Sequence, residues 1–548
     1  MFDRAESFAG RGGKEIRVRK NIWILAAAML LAGCQAENTG APSQSETAQE
    51  ETTAPGETET TEVFTESAGE AEKDGEETGT DAFLHLVTKT EYESEWDDNR
   101  RILQASGDGV QVLDEGYEAL NEALKAYSEK SWREVMDVYR SSLSMAKEDA
   151  GNGKDTGRYE ISRKIRLLRA DNVITSFTEL EYSDLGGAHP GSYTAGYHFD
   201  SRTGKSLTLK DVAVDYDSLV AAVKEKLAAD ERSETYFEGY EETLTEMFYG
   251  EGAEENGPQW AMDADGVTLF FNTYVIAPYS TGPIEVRFDF TEYPEMFSDV
   301  YTEGKRPTAH QVAAGQRVPF GADGETLSLA ANYSADENET ELSVFIQDKA
   351  GEEEPWKFTC YGTMNDAWIV GTESGHPYLY AEFINDNDYH TLEVIDLKPD
   401  EGGGPQFVDT GYDCIYGQFL QDPSSMYLST RMDVLSSFTA GRLYHVGENG
   451  MPESDQEVYE IDPERDIVIK STIELAVEMQ DGDEWKEETL PAGTEFSLRR
   501  TDGESFMEAE LSDGRICRIP LERKTGAFGF TIHGVDEYDC FETLYYAG

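Results

Sequence analysis

The chain has 548 residues, too many for a single hydrophobic core, so about two to four domains are expected. Lys and Arg total 45 against 110 Asp and Glu, a net charge of −65. Such a surface repels nucleic acid, anionic lipid and anionic wall polymers, and draws cationic partners from a distance. Aromatic residues make up 11% of the chain, so acidity here does not mean disorder throughout.

Near the N-terminus, Arg17, Arg19 and Lys20 precede an apolar run from Trp23 to Gly33. A permanent transmembrane helix needs about 20 apolar residues, whereas a signal-peptide core needs roughly 7–15. The exit, Leu31-Ala32-Gly33-Cys34, resembles the bacterial lipobox. That resemblance implies a lipoprotein signal peptide over 1–33, cleavage before Cys34, and a diacylglyceryl thioether on its sulfur. The mature chain would then lie outside the cytoplasm, held to the cell membrane by its lipid. Removal of 1–33 takes away six basic and three acidic residues, leaving 39 against 107 and a net charge of −68. Residues 34–80 read as an acidic disordered tether, with thirteen acidic residues between Gln35 and Thr80 and only Val63 and Phe64 from the large apolar set. A flexible chain of that length spans roughly 40 Å root-mean-square.

Structure is expected from Asp81. Residues 115–146 carry Tyr117, Leu120, Leu124 and Tyr127, then Val135, Met136, Tyr139 and Leu143, at helical spacing. After a Gly-rich break, Tyr159, Ile161, Ile165 and Leu167 alternate with polar residues, the pattern of a half-buried strand, and 173–182 reads as its partner. Tyr193, Ala195, Tyr197 and Phe199 mark a further strand, and Asp200–Lys205 a turn. Helices are expected over 218–228 and 234–249, and strands over 267–274 and 284–290, the last two joined by a rigid turn through Pro278 and Pro283. Helices and antiparallel strands in blocks give an α+β N-terminal part.

Gly186-Gly187-Ala188-His189, followed by the alternating Tyr strand and the Thr203-Gly204-Lys205 turn, resembles the extracellular domain of RsiV-type anti-sigma factors, which sense lysozyme. The run Phe270 to Tyr279, closing on Gly282-Pro283, is similar to that domain's second signature. Residues 81–182 resemble the module that precedes it in RsiV-type proteins and in PdaC-type peptidoglycan deacetylases. The resemblance covers roughly 81–295 and implies a PdaC/RsiV-like module at 81–182 and an RsiV-like module at 183–295. RsiV-type proteins carry a cytoplasmic sigma-binding segment and a membrane helix, which a lipobox replaces here. The deacetylase domain of PdaC has no counterpart. Ligand sensing is therefore the function carried over, with His189, Tyr193, Tyr197, Tyr274 and Tyr279 as candidates for one recognition surface.

Residues 296–315 form a hydrophilic connector. From 318 to 463 the chain reads as short strands (327–332, 341–346, 356–361, 378–383, 391–397 and 426–429), a sandwich or a small propeller-like stack. Residues 464–548 continue as strands, and Leu490–Thr494, Asp502–Phe506 and Asp513–Arg515 resemble the turns of a bacterial Src-homology-3-type barrel, a fold that often binds wall peptide. The expected fold is thus multi-domain, an α+β N-terminal part (antiparallel sheet with helices) followed by an all-β C-terminal part.

No HExxH helix, GxSxG elbow, P-loop or Rossmann GxGxxG occurs, and the eight histidines do not pair with Cys or Glu at a metal-ligand spacing. Asp386-Asn387-Asp388 lacks the Gly and closing Glu of an EF-hand and reads as a hairpin turn. His189, without a visible nucleophile or acid partner, reads as a turn hydrogen-bonder rather than a base. No catalytic residue, metal or cofactor is assigned. Cys360, Cys414, Cys517 and Cys540 either form two disulfides in chain order or stay as buried thiols. The leading expectation is a non-enzymatic cell-surface lipoprotein that binds a cationic protein such as lysozyme, or a cell-wall component. The alternatives are a peptidoglycan-anchoring module and, last, an unrecognised hydrolase. Lipidation at Cys34 has a direct readout: the Cys34→Ala chain should fail to incorporate labelled palmitate and should appear in the soluble fraction, whereas equal labelling of both chains would remove the anchor.

Overall fold

The computed structural model describes residues 82–547, apart from 98–99, 155, 158, 188, 251–256, 314–316, 321–324, 349–350, 352, 386–388, 400–402, 414–418, 462–466, 483 and 543. The leader, Cys34, the tether, Cys414, Ala188 and the Asp386–Asp388 turn lie outside the described residues. Among the described residues no helix is long and apolar enough to cross a membrane.

The N-terminal part is α+β and the C-terminal part nearly all β. Strands β1 (Leu86–Asp97) and β2 (Arg100–Val112) form a long antiparallel hairpin. Helix α1 (Glu118–Gly151) follows, then β3 (Glu160–Ala170), β4 (Ile174–Asp184) and β5 (Gly191–Asp200), in the sheet order β1-β2-β3-β4-β5. The sheet is mixed, not purely antiparallel: β2 and β3 pair in parallel over Gln104–Gly107 and Glu160–Arg163. A parallel pair needs a long crossover, and α1 supplies it. Its buried stripe of Leu120, Leu124, Tyr127, Ser131, Val135 and Tyr139 lies on the sheet. Gly107 and Gly109 of β2 let the helix come close; a Cβ on Gly107 would sit 3.0 Å from the Trp132 ring.

The division expected at 182/183 falls inside this sheet, because β5 pairs with β4 along its whole length. The next unit packs α2 (Tyr216–Ala229) and α3 (Tyr240–Tyr249) against a three-stranded antiparallel sheet of β6 (Gln259–Met262), β7 (Gly266–Phe271) and β8 (Ile284–Asp289). Asp215 caps α2, accepting from the backbone N–H groups of Asp217 and Ser218. Leu219, Val223, Leu227, Leu244, Phe248, Phe271 and Phe288 build the core. The expected helix over 234–249 starts later, at Tyr240, because Gly239 takes a left-handed φ of 84° and breaks the path.

Residues 310–413 form a two-sheet sandwich. Strands β9 (His310–Gln311), β14 (Thr363–Gly371), β15 (Pro377–Asn385), β16 (Tyr389–Asp396) and β17 (Gln406–Asp413) make one sheet. The other holds β10 (Val318–Phe320), β11 (Glu325–Ser334), β12 (Glu339–Gln347) and β13 (Glu353–Tyr361). Leu327, Leu342 and Val344 of one face meet Ile369, Leu379, Phe383 and Ile395 of the other. Beyond it, strands from 426–433 to 516–520 belong to one continuous sheet, so the expected division at 463/464 also lies within a sheet. Cys517 and Cys540 are buried and unbridged, as is Cys360, so of the two alternatives these three follow the buried free thiol. Burial pushes the Cys360 and Cys517 thiols up to about 12, so they stay protonated and inert.

Segment 419–425 clamps the N-terminal sheet to the β-rich part. The buried amide of Gln421 accepts from Ala170 N at 3.2 Å and donates to Ala170 O at 2.7 Å, completing the end of β3. Lys305 pairs with Asp422. His85 spans the seam: Nδ1 lies 2.9 Å from Asp114 Oδ1, and Nε2 lies 3.2 Å from the Ser425 carbonyl and 3.1 Å from its hydroxyl. Burial works against a charge on His85, but the hydrogen bond and charge of Asp114 and the Ser425 carbonyl outweigh it and raise its pKa. When protonated, the ring can donate in both directions, so His85 bridges the two parts. A base with a raised folded pKa stabilises fully below its unfolded value and loses that contribution as pH rises through the folded one. His85→Gln should therefore cost about 1–2 kcal/mol near pH 6 and clearly less at pH 8.5 in urea unfolding; an equal cost at both would contradict a charged clamp.

Candidate binding surface

The site begins where β5 meets β6. A Cβ on Gly196 would lie 1.6 Å from the Trp260 carbonyl oxygen, so only glycine permits this approach. Gly196 N donates to Gln259 Oε1 at 3.1 Å, and the buried His198 ring stacks on Trp260 with centroids 3.5 Å apart. Burial drives the His198 pKa down to about 3, so it packs as a neutral ring. Further along β5, buried Asn272 mimics a strand: its Oδ1 accepts from Thr194 N at 2.8 Å and its Nδ2 donates to Thr194 O at 2.9 Å. These bonds carry the β7–β8 loop to the β4–β5 loop.

There the rings gather. His189, exposed, stacks on Tyr279 with centroids 4.1 Å apart and planes 22° apart, and Tyr279 lies 6.1 Å from Tyr274. Tyr274 is 59% exposed and Tyr279 40%. The His189 Nδ1 is 3.0 Å from the Pro190 carbonyl, the turn hydrogen bond its setting suggests. The β7–β8 loop is pinned from below: Ile276 and Ala277 are buried, Tyr274 N donates to Ala277 O at 2.9 Å, and Phe237 N donates to Ile276 O at 2.9 Å. Tyr274 holds a left-handed φ of 69°, a conformation non-glycine residues avoid at roughly 1 kcal/mol or more.

Tyr197 does not join this array. It occupies the β5 face turned toward α1, which Tyr193 shares by strand alternation, and packs 4.5 Å from Tyr127 and 5.6 Å from Phe177. Its hydroxyl lies 3.5 Å from Glu179 Oε1. The fully buried Glu179 also accepts from Tyr127 Oη at 2.5 Å and Ser131 Oγ at 2.6 Å, and Arg163 reaches it at 3.6 Å. Burial, reinforced by the Glu179 charge, lifts the Tyr197 phenol far above its ordinary range. Tyr197 thus belongs to a polar network between helix and sheet.

One neighbour of the array escaped the sequence pattern. Phe237, exposed beside the β7–β8 loop, lines an open groove with Ser233, Tyr236, Glu238, Glu241 and Glu242. Thr281 Oγ1 and Thr235 Oγ1, 2.9 Å apart, tie this groove to the Tyr279 turn. A continuous helix over 234–249 would hide Phe237 among core candidates; Gly239 is the signal that turns it outward. Among the described residues no group of three His, Cys, Asp or Glu side chains is placed to hold a metal ion.

Residues 209–291 match DUF3298, a protein family of unknown function. A DUF3298 family member from Bacteroides fragilis NCTC 9343 is 21% identical, with 40% of this chain and 95% of that chain covered at a TM-score of 0.29. A DUF3298 family protein from Pseudomonas aeruginosa PAO1 is 17% identical, covering 41% and 98% at a TM-score of 0.27. A bifunctional GH43-CE protein from Bacteroides eggerthii is 9% identical, covering 84% and 58% at a TM-score of 0.19. No curated protein matches. The DUF3298 domain supplies Tyr274, Tyr279 and Phe237; His189 reaches the array from the preceding sheet. The strain at Tyr274 can be measured by urea unfolding. Tyr274→Gly should be about 1 kcal/mol more stable than Tyr274→Ala, the reverse of the usual glycine cost, and equal stabilities would mean that the loop relaxes out of the left-handed region.

Proposed function

We propose that this chain is a bacterial cell-surface lipoprotein, anchored through Cys34, whose DUF3298 domain binds an extracytoplasmic cationic protein such as lysozyme, without catalysing a reaction. The observation that carries the reading is the stacked, exposed array of His189, Tyr279 and Tyr274, with the β7–β8 loop pinned from below and the carboxylates around Phe237 alongside. Rigid aromatic side chains with polar tips bring contact area at low entropic cost. Tyr faces also attract Lys and Arg through the ring quadrupole. The net charge of −65 supplies long-range attraction for a basic partner. The resemblance of the Gly-Gly-Ala-His and Phe270–Tyr279 segments to RsiV-type sensor domains agrees with this class of ligand.

The test is binding of hen egg-white lysozyme to the full chain at 50 and 150 mM salt, followed by interferometry. The expected result is binding that weakens with salt and falls about tenfold or more in the Tyr274→Ala/Tyr279→Ala chain, with an unchanged circular dichroism spectrum. No binding at 50 mM, or equal binding by the double variant, would refute the assignment.

A further inference from the structure

A second group of rings lies in the C-terminal part of the chain. Strands Glu522–Arg523, Phe530–Ile532 and Val535–Asp536 form a small sheet, and the turn Glu537–Cys540 follows. Residues near the C-terminal end are tied to the strand Ser437–Val446: Ser437 N donates to Tyr545 O at 2.8 Å, and Ala547 N donates to Ser437 Oγ at 2.8 Å. This fixes Tyr546 between two exposed rings. Its centroid is 4.9 Å from Phe528 with planes at 84°, and 6.1 Å from Tyr538 with planes at 64°. The Tyr546 hydroxyl donates to Oε2 of Glu537 at 2.7 Å. Glu537 is fully buried, and its Oε1 accepts from Phe530 N at 3.1 Å. Gly529, at φ +90°, passes so close that a Cβ would lie 1.8 Å from that oxygen. The floor ring is therefore set before any ligand arrives, while Phe528 (58% exposed) and Tyr538 (54%) stand in water on either side. Clustered exposed rings on a built support mark a binding surface.

Local charge selects the ligand class. Lys524 Nζ lies 2.8 Å from Asp536 Oδ2, 3.6 Å from Glu537 Oε1 and 5.4 Å from the Tyr538 centroid. Two nearby carboxylates are thus already paired, and a cation of the chain's own already rests on Tyr538. A basic ligand meets this ammonium, and a polyanion meets the acidic chain as a whole. What remains for recognition is ring surface without a charge requirement. A pyranose fits that description, since its C–H faces are apolar and slightly positive toward an aromatic π-face. We propose that Phe528, Tyr538 and Tyr546 form a cradle for a neutral glycan chain. It shares no residue with the His189–Tyr274–Tyr279 surface, and the two stand or fall separately.

The experiment is calorimetric titration of the full chain, solubilised in detergent, with chitohexaose and, in parallel, with hexalysine. Chitohexaose should bind, and Phe528→Ala and Tyr538→Ala should each weaken it about tenfold. Both side chains are exposed, and circular dichroism checks that the variants remain folded. The Tyr274→Ala/Tyr279→Ala chain should bind the glycan as the wild type does, whatever it does with lysozyme. Absence of glycan binding at millimolar concentration, glycan affinity indifferent to both single variants, or hexalysine binding that these variants abolish would each overturn the proposal.

Discussion

The approach of β6 to β5 at Gly196 is the constraint on which the aromatic surface depends. With no side chain in the way, the Trp260 carbonyl enters the space a Cβ would fill, and the ring of His198 closes over Trp260. That contact fixes the second sheet against the first, so Asn272 can pair with Thr194 and lay one loop beside another. The stacking of His189 on Tyr279 follows from backbone placement that begins away from both rings, at Gly196 and Trp260. A larger residue at Gly196 would act on the site without touching it, by moving the loop that carries Tyr274 and Tyr279.

The two faces of β5 illustrate how burial sorts chemically similar residues. Tyr193 and Tyr197 lie on the side covered by α1, where the phenol of Tyr197 adds to the hydrogen-bonding shell of a carboxylate with no exposure to water. A buried carboxylate is tolerable only with such partners, and Glu179 has Tyr127, Ser131 and Arg163 as well. Tyr274 and Tyr279 lie on the β7–β8 loop, beyond the strand ends, where both rings stay exposed. Of the four, Tyr274 alone holds a left-handed φ, while the half-buried Tyr193 and Tyr197 sit on regular strand, the expected partition if strain is tolerated where a surface must be presented.

Strand identity was largely legible where side chains alternate. The readings 378–383 and 391–397 fall on β15 and β16, and the helix read over 115–146 matches most of α1. The misses have local causes. In β2, Gly107 and Gly109 occupy the positions where Val or Ile would have signalled a strand, because α1 packs directly on them. In β14, a register shift between Met364 and Asp366 breaks the two-residue period, and the strand opens on polar residues. Asp366 is held there by Gln311 Nε2 at 3.0 Å, with its carboxyl pushed up to about 6 chiefly by burial. For the candidate surface, the family resemblance pointed to His189, Tyr274 and Tyr279, which the structure brings side by side. It could not separate them from Tyr193 and Tyr197, since alternation reports that a strand has two faces and not which face a distant helix covers.

The sharp acidity of the chain and the neutrality of its ring clusters act on different length scales. Screening confines the field of exposed charges to about 8 Å at physiological ionic strength, so the net charge governs how partners approach and how fast. Within contact distance the outcome rests on whether a ring is already occupied. At Tyr538 the chain places its own ammonium, Lys524, beside the face a ligand cation would seek. At Tyr279 the covering group is His189, stacked and exposed, and the acidic groove at Phe237 lies alongside. If both proposals hold, one acidic chain presents two aromatic surfaces whose contact preferences are set by the groups beside the rings as well as by the net charge.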